Sequence, residues 1–178
     1  MHWEVKSTDS EKEIKALSKE LNVCSTTASL LVSRDIKSFE AAKTFFRPSL
    51  DHLHDPFLMK DMDKAVKRIL EAIKNDEKIL IYGDYDVDGT TSVALVCKYL
   101  KRNSTNQIST YIPDRYNEGY GISYQSIDYA ADNEFSLVIA LDCGIKAIDK
   151  ISYANNKNID YIICDHHKPG PLIPDTIA

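Results

Sequence analysis

The segment IYGDYDVDGTTSVAL, Ile81 to Leu95, sets Asp84, Asp86 and Asp88 at alternate positions directly after an apolar run. If the residues up to Gly83 form a strand and the chain stays near extended beyond it, residues two apart point the same way and the three carboxylates converge. Two carboxylates about 4 Å apart repel by roughly 4 kcal/mol at an effective dielectric near 20, so such a cluster calls for protons or cations. A divalent metal answers that need. Gly89 would allow a tight exit into a helix, and Thr90 or Thr91 would cap its start. Alternating acids on their own are equally compatible with a solvated, Asp-rich turn.

The same pattern recurs at two more apolar runs. SLVIALDCG ends in Asp142, and DYIICDHHKPG ends in Asp165, His166 and His167. If these are strand ends on one edge of a parallel sheet, carboxylates and imidazoles arrive in one place. Oxygen and nitrogen donors without thiolate suit Mn²⁺ or Mg²⁺ better than a structural zinc. Cys143 and Cys164 alternate with these acids and should face away from them, as core residues. The four cysteines lack CxxC spacing and read as buried free thiols. In YIPDRYNEGYGIS, Gly119 and Gly121 suggest a pliable loop. Arg115 there is the cation placed to fork a phosphate or to pair with one of the aspartates. His2, His52 and His54 have no comparable company and read as surface or interface residues.

The elements that position these groups follow from periodicity. From Ser10 to about Asn75, apolar residues recur three and four apart in EKEIKALSKELN, TTASLLVSR, FEAAKTFF and MDKAVKRILEAIKN, which predicts helices. From Lys78, short apolar runs alternate with helical stretches. That predicts an α/β domain, a parallel sheet flanked by helices, with a helical N-terminal extension and its site beyond the carboxyl ends of the strands. The division expected is a helical lobe at 1–75 and the sheet domain at 76–178.

Composition bounds the function classes. The 178 residues are 43% hydrophobic and 28% charged, with a net charge of −5, so bulk electrostatic gripping of nucleic acid is disfavoured and any phosphate must be met locally. No run approaches the roughly 20 apolar residues that span a bilayer, and the start lacks a signal-peptide plan, so a cytoplasmic protein without membrane contact is expected. The ending KPGPLIPDTIA follows closely on the last predicted strand and suggests a fragment of a longer protein.

GDYDVDG, ALDCG and CDHH, in this order and each after an apolar run, resemble the first three motifs of the DHH phosphoesterase superfamily. The PDRYNEGYGIS loop and the lead-in FFRPSLDHLHDPFLMKDMDKAVKRI are similar to its RecJ branch of bacterial single-strand-specific 5′→3′ exonucleases. This resemblance implies metal ligation by Asp86 and Asp88, with Asp84 as a further ligand or close neighbour. It implies that Asp142 bridges two metal ions, that His166 is a ligand, that His167 faces the scissile phosphate and that Asp165 orients it. Tyr82 stands where related small-molecule phosphatases carry a metal-binding histidine. Two-metal hydrolysis of single-stranded DNA in repair and recombination is the implied activity, with helicase or single-strand-binding proteins as implied partners. The family's fourth motif and second lobe are missing, which bears on whether this segment is active alone.

Three rivals differ in class. A phosphoesterase of short oligonucleotides or small nucleotides would share the motifs but not the lead-in and loop. A non-catalytic scaffold on the same fold would tend to lose ligands that are retained here. A dinucleotide-binding domain would need glycines where GDYDVDG has acids.

Overall fold

The computed structural model describes residues 11–178, so His2 lies outside the described residues. The chain divides into two compact units, Met1–Asp55 and Pro56–Ala178. In the first, helices α1 (Glu11–Leu21), α2 (Ser25–Val32) and α3 (Phe39–Phe46) enclose a core of Ile14, Leu17, Ala28, Leu31, Val32, Ile36 and Ala42. Ser38 caps α3 by accepting from the Ala41 amide. His52 and His54 are exposed, and His52 Nδ1 accepts from the Ser49 amide at 3.2 Å.

The second unit runs α4 (Met62–Lys74), β1 (Ile79–Gly83), α5 (Val87–Asn103), β2 (Ile108–Tyr111), α6 (Tyr124–Asp132), β3 (Leu137–Leu141), α7 (Ile148–Asn156) and β4 (Asp160–Cys164). The four strands are parallel, in the order β2-β1-β3-β4. Strands β1 and β3 are buried along their whole length, as continuous apolar runs covered on both faces must be. Alternation divides their side chains between two cores. Leu80, Tyr82, Val138, Ala140 and Tyr161 meet α6 and α7, while Ile79, Ile81, Leu137, Ile139 and Ile162 meet α4 and α5. Helix α4, grouped by sequence with the N-terminal lobe, belongs to this unit because Ala65 and Ala72 pack into the second of these cores.

Each helix entering β1, β3 and β4 ends in the same way. Asp76, Glu134 and Asn158 take left-handed backbone, with φ of 54°, 62° and 59°. The following amides, of Glu77, Phe135 and Ile159, bond back to Ala72, Ala130 and Ala154. These are Schellman closures without glycine. They start the strands at a common level, and the register carries that level to the other end, where Gly83 pairs with Leu141 and Leu141 with Cys164.

Candidate metal centre and active site

One residue past that last rung stand Asp84, Asp142 and Asp165, side by side on β1, β3 and β4, whose neighbours lie about 4.8 Å apart. The strand order reverses direction between β1 and β3, the switch point at which open parallel sheets place their ligands. The convergence of acids expected from the sequence therefore arises across strands.

Along the chain it arises only in part, because the backbone does not stay extended after Asp84. Helix α5 begins at Val87, and Asp86 is its N-cap, accepting the Gly89 amide on Oδ1 at 3.0 Å. Neither Thr90 nor Thr91, the two residues expected to cap, does so, and Thr90 instead donates its hydroxyl to the Asp86 carbonyl at 2.6 Å. Asp88 falls in the first helical turn, exposed, where the two-residue alternation no longer applies. Gly89 serves close approach and not a turn: a Cβ there would sit 2.5 Å from the Asp84 carbonyl oxygen. Gly83 is similarly tight, its Cβ position blocked by Val93 and the Gly89 carbonyl.

Asp84 is fully buried. Its Oδ1 accepts the Tyr85 amide at 2.6 Å, and its Oδ2 has no partner among the described residues. Burial, reinforced by the charges of Asp86 and Asp142, holds its pKa above the ordinary carboxylate value. Asp142 has left-handed backbone at φ 62°, sparsely populated for a residue with a side chain, and its amide makes a final ladder bond of 2.8 Å to the Cys164 carbonyl. Its Oδ1 lies 3.1 Å from His166 Nε2. The ligand atoms of Asp142, His166 and His167 all fall within 4.8 Å of one another; Asp84, Asp86 and Asp88 stand outside this trio.

Asp165 and His167 form a pair. The Asp165 side chain, 2% exposed, accepts His167 Nδ1 at 2.7 Å, the His167 amide at 3.0 Å and the Ile145 amide at 2.9 Å. Burial opposes its charge, but the two amides and the imidazole outweigh it and hold its pKa low; the same imidazole bond raises that of His167. Nδ1 being engaged, Nε2 is left facing outward, 3.4 Å from the Tyr120 hydroxyl.

The loop carrying Tyr120 is pinned at several points. The Asp114 side chain accepts the amides of Tyr116 and Asn117, Glu118 accepts from the Asp114 amide and from the hydroxyls of Tyr111 and Ser123, and Tyr82 donates its hydroxyl to the Gly121 carbonyl at 2.6 Å. Tyr82 is thus a buried core residue that anchors this loop. Arg115 makes no ion pair among the described residues; its guanidinium carbon lies 4.4 Å from the centre of the Tyr85 ring. Tyr85 and Tyr120, not singled out from sequence, meet edge to face at 6.2 Å.

Of the thiols, Cys97 and Cys143 are buried, and burial, followed by the charge of Asp84, pushes the Cys143 pKa up to about 12. Cys24 and Cys164 are exposed, contrary to expectation. Cys164 is the last residue of β4 and lines a cavity of about 700 Å³ together with Asp142, Asp165, His166, Met62 and Pro174.

The donor set therefore comprises carboxylates and imidazoles, one buried carboxylate oxygen without a partner, and no lysine or arginine paired with an acid at this edge among the described residues. It fits a hard divalent cation.

Comparisons with known proteins bear on the fold and the family. The chain is 42% identical over all 178 residues to the single-stranded-DNA-specific exonuclease RecJ of Bacillus subtilis, covering 22% of that protein, and 31% identical over 116 residues to its Escherichia coli counterpart, covering 20%. It thus spans about a fifth of the length of these relatives. A crystal structure of exonuclease RecJ bound to manganese matches 66% of the chain and 30% of that structure, with TM-score 0.61 and 28% identity. RecJ of Thermus thermophilus in complex with Mn²⁺ matches 93% of the chain and 22% of that structure, with TM-score 0.68 and 22% identity. Residues 78–178, which contain every group described at this strand edge, match the model of the DHH family, N-terminal domain, and the chain belongs to that family.

Proposed function

We propose that the gene product carrying this sequence is a metal-dependent 5′→3′ exonuclease that hydrolyses phosphodiester bonds of single-stranded DNA, acting in the cytoplasm in repair and recombination. The observation that carries this reading is the juxtaposition of Asp142, His166 and the Asp165–His167 pair at the switch point of the sheet. The similarity to RecJ exonucleases over the whole chain supports the substrate class. In domain terms, the reading has the family's domain begin near residue 76, close to the start of the family match at 78, with α4 as a preceding helix packed into the same unit.

Asp142 and His166 would hold Mn²⁺ or Mg²⁺, with Asp84, Asp86 and Asp88 completing the oxygen donors around a metal pair. When bound, the metals supply activation of the attacking water and neutralisation of charge on the phosphoryl oxygens. The Asp165 carboxylate holds the Nδ1–H of His167 and favours its imidazolium form, whose Nε2–H would face the phosphate and pass its proton to the departing oxygen. Arg115 holds a phosphate near the strand end by its planar fork. Helicases or single-strand-binding proteins are the partners such an enzyme would meet. No helix among the described residues is long and apolar enough to cross a membrane.

The test is Asp142→Ala in the full gene product. Mn²⁺-dependent degradation of single strands should fall by a factor of about 10³ or more, with unchanged circular dichroism. In parallel, calorimetric titration of Mn²⁺ into the chain should show binding that the variant loses. Retained cleavage would refute the assignment of Asp142. Faster cleavage of dinucleotides than of long strands would redirect the substrate class to small nucleotides.

A further inference from the structure

Around the acid cluster, the ion pairs among the described residues join His166 to Asp142 and His167 to Asp165. Arg115 joins neither, although the ring it covers belongs to Tyr85, which stands between Asp84 and Asp86 in the chain. An exposed arginine carries about 2 kcal/mol of rotamer entropy, so an unheld guanidinium samples many positions. An aromatic ring offers the guanidinium a seat by cation–π attraction, and its N–H donors stay available to an incoming acceptor.

Tyr85 is itself held from two sides. Its amide donates to the buried Asp84 carboxylate at 2.6 Å, tying its backbone to the end of β1. Its ring meets that of Tyr120 edge to face at 6.2 Å and 79°, and Tyr120 comes from the same loop as Arg115. That loop is anchored to the core through the Tyr82 hydroxyl. The seat is thus built from the acid-bearing strand end and the arginine-bearing loop together.

We propose that Tyr85 is a positioning residue for Arg115: its ring is the shelf on which the guanidinium rests, with its donors open to the terminal phosphate of a nucleic-acid strand. The inference rests on the nuclease reading and deepens it. A residue between two candidate metal ligands would then serve substrate recognition through its side chain and the fold of the acid loop through its amide.

The experiment compares rates on end-phosphorylated and unphosphorylated single strands for the full gene product and for Arg115→Ala, Tyr85→Leu, Tyr85→Phe and the double Arg115→Ala/Tyr85→Leu variant. Thermal melts accompany each, and Tyr85→Met replaces Tyr85→Leu if the latter does not fold. Tyr85→Leu should reduce the preference for the end phosphate about fivefold, through KM with little change in kcat. Tyr85→Phe, which keeps the aromatic face, should retain the preference, and the double variant should match Arg115→Ala. A Leu or Met variant that keeps the preference overturns the inference, as does a Phe variant that loses it equally, or losses that multiply in the double variant. An unsubstituted protein that cuts strands without regard to the end phosphate overturns it alone. One that cuts no single strand overturns the nuclease reading and this inference with it.

Discussion

The two ends of the parallel sheet use the same acidic residue types to opposite effect. At the amino end, Arg68 of α4 donates to Glu77 through both terminal nitrogens, at 2.7 and 3.3 Å, and through Nε to Asp160 at 2.6 Å. Ser136 adds a further donor to Glu77, and Asn106 bonds the Glu77 and Ala72 carbonyls. At the carboxyl end, Asp84, Asp142 and Asp165 stand in register, with amides and histidines for company but no paired arginine or lysine among the described residues. The pKa directions follow. Burial raises that of Glu77, but Arg68 and Ser136 outweigh it and leave it lowered, whereas the buried Asp84 stays raised. One end meets an arginine from within the chain; the other, on the reading proposed above, would meet a metal.

The sharpest way to break this contrast is at Arg68. Its side chain is 12% exposed, and Arg68→Met strands Glu77 and Asp160 together. We expect a loss of about 2–3 kcal/mol of unfolding free energy by urea titration. A change under 0.5 kcal/mol would show that the amino-end network contributes complementarity and little stability.

Next in size is a pair of opposed substitutions in metal-free protein. Glu77 has a lowered folded pKa, so its native state binds fewer protons than the unfolded chain. Its contribution is present above the unfolded value of about 4.5 and is lost as pH falls through the folded value. Asp84 has a raised folded pKa, so stability declines as pH climbs from the ordinary aspartate value of 3.8 through the raised one. At pH 7, Glu77→Gln should therefore destabilise by about 1–2 kcal/mol and Asp84→Asn should stabilise by about 1 kcal/mol. Thermal melts at pH 4 and pH 7 read both. Equal signs at pH 7 would dissolve the comparison, and added Mn²⁺ should cancel the advantage of Asp84→Asn.

The smallest effect separates two uses of Asp86, helix capping and metal ligation. Asp86→Ala should cost about 1 kcal/mol by loss of the cap, while Asp86→Ser restores the cap and with it most of that stability. Both should weaken Mn²⁺ binding in calorimetry. If Ser preserves the affinity as well, Asp86 is a cap alone.

Much of this was legible beforehand, for physical reasons. Runs such as LVIAL, apolar at every position, can only be strands covered on both faces, and an acid at the tip of each had to emerge on one edge. That reasoning places Asp142, Asp165, His166 and His167 at the edge where the structure has them. The local geometry after β1 is not legible in the sequence, because an extended continuation and an immediate helix start fit the same residues, and only the cap bond from the Gly89 amide to Asp86 separates them. Cys164 was assigned to the core by alternation, yet as the final residue of its strand it borders the cavity beside Met62. Tyr85 and Tyr120 left no local signal. Their meeting depends on a loop closing back over another strand end, a contact between residues 35 positions apart.

The packing of Gly89 against the backbone of Asp84 has a thermodynamic consequence for ligand affinity. Acid-rich loops in many proteins are ordered only by the cation they bind, and the lost chain freedom then subtracts from affinity. Here the β1–α5 turn is clamped backbone to backbone with no space for a single added methyl group, so that freedom disappeared during folding. Preorganisation of this kind would spare an arriving cation the cost of ordering this turn.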